Sequence, residues 1–155
     1  MTRRFKNITI VAALLMLVVI LSPGCTRNNG NIGSIFGTWR LDALEIDGEA
    51  ASDYNDNCFW GFQNNIISFT TLDAPDEHSA VRRWGTFVKE DGYLILDLAH
   101  HGQGDNDYLY QPPAYLRLPC EKDVRLKIVS ESGSKMVLTY TAAEGEIMTY
   151  KLIKQ

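Results

Sequence analysis

From residue 35 onward, apolar and polar residues alternate along most of the chain, which is the pattern of half-buried β-strands. In "DVRLKIVS", the apolar residues Val124, Leu126 and Ile128 fall on one face, and Arg125 and Lys127 fall on the other. The same alternation runs through "SKMVLTYTA", "EIMTYKLIK" and "DGYLILDLA". Further residues expected to point inward are Leu94, Leu96, Leu98, Met136, Leu138, Tyr140, Met148, Tyr150 and Leu152.

Short glycine-containing turns separate these segments. Ser132-Gly133 and Glu144-Gly145 divide the last three into consecutive hairpins, and Asp91-Gly92 lies inside "VRRWGTFVKEDGYLILDLA". Gly85, within an otherwise apolar strand, predicts a tight bend of the kind found at barrel corners.

The first strand, "GTWRLDALEI", changes phase along its length. Its apolar positions are Trp39, Leu41 and Ala43, followed by Leu44 and Ile46. A shift of one residue predicts a β-bulge, which helps a sheet to curve and close.

Eight strands are predicted once "FWGFQNNIISFTT" and "AYLRLP" are each counted as one, and no segment has a helical period. Regularly spaced short strands favour an all-β fold, either a sandwich or an antiparallel up-and-down β-barrel. The stretches "LDAPDEHSA" and "HHGQGDNDYLYQPP" are predicted loops, and the second is long enough for a lid or binding loop.

An eight-stranded barrel has an interior that side chains can fill or that can hold one small ligand. Six aromatic rings could occupy much of that space, which favours a filled core over a ligand box, although both remain open. These rings are Trp39, Phe59, Trp60, Phe62, Phe69 and Trp84.

The first 24 residues have the pattern of a secretory signal. Arg3, Arg4 and Lys6 precede an almost unbroken apolar run over residues 8–21. A helix of that length would span roughly 21 Å, which is short for a hydrocarbon core of about 30 Å. A basic start, a short apolar run and small residues are typical of a cleaved signal peptide.

The residues "LSPGC" resemble the lipobox of bacterial lipoproteins, in which the cysteine is acylated and becomes the first mature residue. This resemblance implies a signal peptide at 1–24 and a lipidated flexible tether at 25–34 attached through Cys25, which leaves residues 35–155 as the predicted β-barrel domain. Two acyl chains would anchor the protein stably to a membrane. The alternatives are an ordinary cleaved signal with a chance cysteine, or an uncleaved anchor.

Removing residues 1–24 takes away three basic and no acidic residues, so the net charge falls from −4 to −7 over the 131 residues that remain. Such an acidic domain argues against nucleic-acid binding. No cofactor is indicated.

Cys58 and Cys120 are the two other cysteines. In an exported protein the pair favours a disulfide, and the alternatives are two free thiols or half of a metal site.

"IFGTWRLDALEIDGE" resembles the opening strand of lipocalin-like (calycin) domains, in which a Gly-x-Trp motif plugs the closed end of an eight-stranded barrel. Gly37 and Trp39 match that motif, and the resemblance implies that a cation from the last strand, Lys151 or Lys154, packs on the tryptophan. The mature chain is similar to small lipocalin-like lipoproteins of the Bacteroides type. This resemblance implies an outer-membrane location. Surface-exported lipoproteins of this type tend to carry acidic residues just after the cysteine, and because "TRNNGN" holds none, the resemblance implies the periplasmic face over the cell surface.

A metal hypothesis comes from His100 and His101 with Asp105 and Asp107, because imidazoles and carboxylates bind divalent ions. A solvated polar loop is the favoured interpretation, since adjacent strand residues face opposite ways and an EF-hand spacing is absent. A stronger candidate for ligand or partner binding is a set of tyrosines around Pro112-Pro113, namely Tyr108, Tyr110 and Tyr115.

No nucleophile elbow, phosphate loop or His-Glu-x-x-His motif occurs, so an enzyme is not expected. The sequence predicts a lipid-anchored envelope protein that binds a small apolar ligand in the barrel mouth, or a partner protein at the rim. A filled barrel with a structural or interaction role is the alternative, and a metal-dependent hydrolase is a third.

Overall fold

The computed structural model describes residues 33–72, 80–99 and 111–155, which form one antiparallel sheet closed into a barrel. A 3₁₀ turn, Gly33–Ile35, precedes the first strand. The strands are β1 Gly37–Ile46, β2 Glu49–Ala50, β3 Cys58–Gln63, β4 Ile66–Thr71, β5 Val81–Glu90, β6 Tyr93–Asp97, β7 Val124–Glu131, β8 Lys135–Thr141 and β9 Ile147–Lys154.

β1 pairs with β2 and with β3, each strand from β3 to β9 pairs with the next in sequence, and β1 pairs with β9 to close the sheet. The two-residue β2 only extends β1 through a hairpin at Asp47-Gly48. The wall therefore has eight strands, β1 and β3–β9, and the predicted all-β, up-and-down barrel is confirmed. Among the described residues there is no α-helix, and no helix long and apolar enough to cross a bilayer.

The two ends of the barrel differ in their connections. At one end, which we call the closed end, the chain joins β1 through residues 33–36, and tight turns at 64–65, 91–92 and 132–134 link the strands. At the opposite end, the loop end, β1 is followed by β2 and residues 51–57, β4 and β6 finish, β5 and β7 begin, and the turn at 142–146 joins β8 to β9. Asp91 and Gly92 both have positive φ, at 49° and 79°, which suits the two-residue hairpin predicted there.

The bulge predicted in β1 is present. Leu41 pairs with Leu152 and Ala43 pairs with Lys151, so Asp42 is the extra residue. Asp42 is exposed, whereas Leu44 is buried in the core. The extra residue changes which side chains of β1 point inward, as the phase change indicated.

Two strand assignments made from the sequence were wrong, although the count of eight was right. "FWGFQNNIISFTT" is two strands, β3 and β4, separated by a turn at Asn64-Asn65 in which Asn64 has φ of 56°. "AYLRLP" is not a strand, because Ala114–Leu116 forms a 3₁₀ turn that ends at Arg117 with φ of 54°. The two errors cancelled in the total.

The core occupies the barrel interior and consists of the inward faces of the eight wall strands. Trp39, Trp60, Phe62 and Phe69 are at most 1% exposed. The prediction that Phe59 and Trp84 also point inward was wrong. Phe59 is half-buried and Trp84 is 37% exposed, and both lie on the outer wall.

Gly85 lies where β5 comes close to the end of β6. A Cβ atom there would lie 2.6 Å from Leu98 Cδ2, 2.9 Å from the Asp97 carbonyl oxygen and 3.3 Å from Ile67 Cγ2. The absence of a side chain therefore allows β5 to approach these atoms closely.

Candidate functional site

The closed end is sealed by Trp39 from β1. Its ring is fully buried, and its indole Nε1 donates a hydrogen bond of 2.8 Å to the carbonyl oxygen of Ile35 in the preceding 3₁₀ turn. Gly37 has φ of 118°, a conformation that side-chain-bearing residues rarely adopt. This backbone bend turns the chain from the 3₁₀ turn into the strand, so that Ile35 and Trp39 both pack into the barrel base.

Lys154, at the end of β9, covers Trp39. Its Nζ lies 5.3 Å from the centroid of the indole ring and donates a hydrogen bond of 3.0 Å to the Ser34 carbonyl oxygen. Lys151, the other candidate from the sequence, instead forms an ion pair with Glu45. The structure thus selects Lys154 as the cation that packs on the tryptophan.

The opposite mouth is occupied by a segment that we call the plug, residues 113–118. Leu116 is fully buried and Leu118 is 7% exposed. The hydroxyl of the buried Tyr150, on β9, donates a hydrogen bond of 2.7 Å to the Leu116 carbonyl oxygen. The 3₁₀ turn directs Leu116 into the barrel, where a strand would have placed it along the wall.

Tyr115 fixes the plug to the wall beside Cys58. Its ring centroid lies 5.6 Å from that of Tyr54, and its hydroxyl lies 2.9 Å from the Thr71 hydroxyl. Burial raises the pKa of the Cys58 thiol to about 11, although hydrogen bonding to Tyr115 and Trp60 acts in the opposite direction. Burial also raises the pKa of Tyr115 well above its usual value. These groups are therefore neutral near pH 7 and act as packing and hydrogen-bonding groups.

The predicted disulfide between Cys58 and Cys120 was wrong, because both thiols are free. Cys58 is buried on the inner face of β3, whereas Cys120 is exposed in the connection before β7. The Cys120 thiol donates a hydrogen bond of 3.0 Å to the Leu98 carbonyl oxygen. The two side chains therefore have separate environments and separate partners.

Aromatic contacts run through the middle of the barrel. The Trp60 ring centroid lies 5.0 Å from that of Phe69, 5.2 Å from that of Tyr150 and 6.4 Å from that of Phe62. Phe62 in turn packs edge-on against Phe87, with ring centroids 5.3 Å apart. Rings at these separations are in direct contact, so these side chains occupy the middle of the barrel interior.

Seven residues singled out from the sequence lie outside the described part of the chain. They are Cys25, His100, His101, Asp105, Asp107, Tyr108 and Tyr110. Of the three tyrosines in the binding hypothesis, the structure therefore places only Tyr115, in the plug. Within residues 33–72, 80–99 and 111–155, no three His, Cys, Asp or Glu side chains are grouped so that they could hold a metal ion.

Sequence reasoning missed Leu116, Tyr54 and the role of Tyr150 as an anchor for the plug. The signal for Leu116 was available in part. It follows Pro112-Pro113 and precedes Pro119, and prolines so close together disfavour a wall strand. The contacts of Tyr54 and Tyr150 join segments distant in sequence, and no local pattern indicates them.

This closed barrel, with an aromatic seal at its base, is a lipocalin-like fold. It is similar to the crystal structure of a lipocalin-like protein from Bacteroides uniformis, with a TM-score of 0.58 and 20% identity, over 79% of this chain and 100% of that chain. It is also similar to an uncharacterized protein from Bacteroides eggerthii, with a TM-score of 0.53 and 19% identity, over 77% and 98% of the two chains. No protein-family model and no curated protein matches the sequence. At these identities the similarity defines the fold alone.

Proposed function

We propose that the protein is a non-catalytic, lipid-anchored protein of the cell envelope whose filled barrel is a rigid scaffold for binding at its surface. Of the two roles expected from the sequence, this is the filled-barrel role. The observation that carries it is the sealing of both ends, with Trp39 at the base and Leu116 in the mouth, each fully buried. A small apolar ligand would have to displace one of them.

The chemistry of the interior supports a scaffold. The core side chains of the described residues are apolar, and none of the fully buried residues is charged. The buried thiol of Cys58 has a pKa of about 11 and is protonated at neutral pH, which makes it a poor nucleophile. These groups pack the barrel.

A titration with an apolar fluorescent probe, 1-anilinonaphthalene-8-sulfonate, tests the filled interior. We expect no saturable binding in the mouth of the native barrel, that is, none that depends on the side chain at position 116. A Leu116→Ala variant is the positive control. It shortens the side chain that fills the mouth and leaves the wall strands unchanged, so the probe should bind it. Saturable binding to the native barrel, abolished by Leu116→Trp, would place a ligand in the mouth and contradict the proposal.

The anchor rests on Cys25 and on the cationic and apolar residues before it. Cell fractionation of a Cys25→Ala variant tests this part separately. We expect the wild type in the membrane fraction and the variant in the wash.

For the location within the envelope, we propose the periplasmic face of the outer membrane, since residues 26–31 after the cysteine, "TRNNGN", are free of acidic side chains.

A further inference from the structure

The outer wall carries a groove across β1, β3, β4 and β5. Its central row is formed by residues paired across the sheet, in which Thr38 lies opposite Gly61, Gly61 opposite Ser68, and Ser68 opposite Trp84. The cavity has a volume of about 350 Å³. This is within the size range of small-molecule sites, roughly 300–1,000 Å³.

The groove is deep at its centre because two small residues meet there. A Cβ atom at Gly61 would lie 2.5 Å from Ser68 Oγ, so a larger residue at position 61 would displace the serine hydroxyl and raise the floor. Phe59 lies one row to one side, opposite Thr70, and Ile66 lies one row to the other, opposite Gln63. The large side chains of Phe59 and Ile66 therefore lie on either side of the small residues Gly61 and Ser68.

The rim presents apolar carbon to solvent. Phe36 is 45% exposed, Ile66 is 39% exposed and Trp84 is 37% exposed, and all three line the groove. A cluster of exposed large apolar residues on one concave surface is a feature of binding sites. Covering these side chains would contribute favourably to association.

Polar groups lie between the apolar ones. The hydroxyls of Thr38 and Ser68 and the amide of Gln63 have no hydrogen-bond partner among the described residues. Arg82 Nε donates to the Thr70 hydroxyl over 3.2 Å, and the Arg82 guanidinium carbon lies 5.5 Å from the centroid of the Trp84 ring. The groove thus combines flat carbon surface with donors and acceptors at its floor and edge.

We propose that this groove binds a sugar ring of an oligosaccharide. A pyranose has an apolar face of C–H groups and a rim of hydroxyls, which matches the carbon of Trp84 and Phe36 beside the hydroxyls of Thr38 and Ser68. An acyl chain fits less well, because it would remove water from these polar groups without replacing their hydrogen bonds, at a cost of about 1–3 kcal/mol each. The inference rests on the proposed function in that it assigns binding to the surface.

Binding to the groove can be followed by tryptophan fluorescence. Trp39 and Trp60 are fully buried, and Trp84 is the exposed one. A change in tryptophan emission on adding a sugar therefore reports on Trp84, and saturation-transfer NMR measures the binding itself. The probes are maltotriose, cellotriose and chitotriose, each titrated against the full chain in detergent.

We expect at least one trisaccharide to bind saturably and to change the emission of Trp84. Trp84→Ala should weaken binding at least tenfold, and Gly61→Val, which fills the floor while keeping every aromatic ring, should do the same. Val129→Ala is the control, because Val129 is exposed on β7, outside the groove. Circular dichroism of each variant establishes that the barrel is folded.

Failure of all three sugars to bind would overturn the proposal, and so would binding that survives both Trp84→Ala and Gly61→Val. A Trp84-dependent dimer, or Trp84-dependent binding to phosphatidylglycerol vesicles in the absence of sugar binding, would assign the groove to another occupant and also overturn it. The filled-barrel proposal is judged by a different result, the probe titration of the mouth, so the two failures are distinguishable.

Discussion

Lys154 Nζ lies 5.3 Å from the ring centroid of Trp39, and this contact joins the last strand of the barrel to the first across the base. The lysine also holds the Ser34 carbonyl, so that residues 33–36 are fixed beneath the barrel. Residues 33–36 therefore lie at the closed end, and the plug lies at the opposite end. In an anchored protein, the tether from Cys25 would lead to the base.

Lys154→Met keeps the aliphatic stem and removes the charge and the hydrogen bond. We expect the free energy of unfolding to fall by about 1–2 kcal/mol, from the loss of the cation–π contact and of the bond to Ser34. Urea denaturation measures the change. Lys151→Met on the same strand is the control and should cost about 0.5 kcal/mol, because its ion pair with Glu45 is partly solvated. Equal effects of the two substitutions would contradict the role of Lys154.

Gly85→Ala should destabilise the barrel by about 1–3 kcal/mol, because the new methyl group meets backbone and core atoms and overpacks the corner. The closest backbone atom is the Asp97 carbonyl oxygen, which would lie 2.9 Å from the added Cβ atom. Gly133→Ala is the control, since a Cβ atom there meets nothing within 4 Å. Thermal unfolding compares the two. A neutral Gly85→Ala would show that the corner does not need glycine.

Leu116→Ala should cost about 2–5 kcal/mol, the range for truncating a fully buried leucine. Tyr150→Phe, which removes only the hydroxyl that holds the Leu116 carbonyl, should cost about 0.5–1.5 kcal/mol. Both are measured by urea denaturation, and Leu72→Ala, at a side chain that is 38% exposed, is the control. If Leu116→Ala behaves like Leu72→Ala, the plug does not contribute to the core.

The two thiols should react at very different rates. Iodoacetamide at pH 8 should label Cys120 in the native protein and Cys58 only after denaturation, because Cys58 is buried and its pKa is raised to about 11. Peptide mass spectrometry identifies the labelled site, and Cys120→Ser should abolish native labelling within residues 35–155. A peptide pair joined through Cys58 and Cys120 would contradict the free-thiol structure.

Burial of Cys58 also predicts a loss of stability at high pH. The thiol has its ordinary pKa of 9.0 in the unfolded chain and a pKa of about 11 in the folded protein. Its contribution is complete below pH 9 and is lost as the pH rises toward 11, since the unfolded chain then releases a proton that the native state keeps. The difference between these pKa values corresponds to roughly 3 kcal/mol at most. Urea denaturation from pH 8 to 11 should show a smaller decline in Cys58→Ala than in the wild type, and identical declines would contradict the assignment.

Much of the barrel follows from local alternation in the sequence. Met148, Tyr150 and Leu152 point inward on β9 because they lie two residues apart, and the bulge at Asp42 is visible as a phase change in β1. The same alternation also decides which of the six aromatic rings can point into the barrel. Phe59 adjoins the inward Trp60, so it must face outward.

The candidate sites were less predictable because they depend on contacts between distant segments. The pairing of Ser68 with Gly61 and Trp84 joins three strands, and the groove appears only when their register is known. The position of Leu116 in the barrel mouth depends on a hydrogen bond from Tyr150, which is 34 residues away in sequence. Alternation indicates which face a residue occupies, but not which residue lies opposite it.

Native mass spectrometry of the protein purified from its own envelope tests the central claim of a lipid-anchored barrel with a filled interior. We expect the mass of the chain from Cys25 onward plus its acyl groups, with no apolar small molecule retained after gentle release from detergent. An unmodified Cys25, or a stoichiometric apolar ligand that is released only on unfolding, would contradict the account.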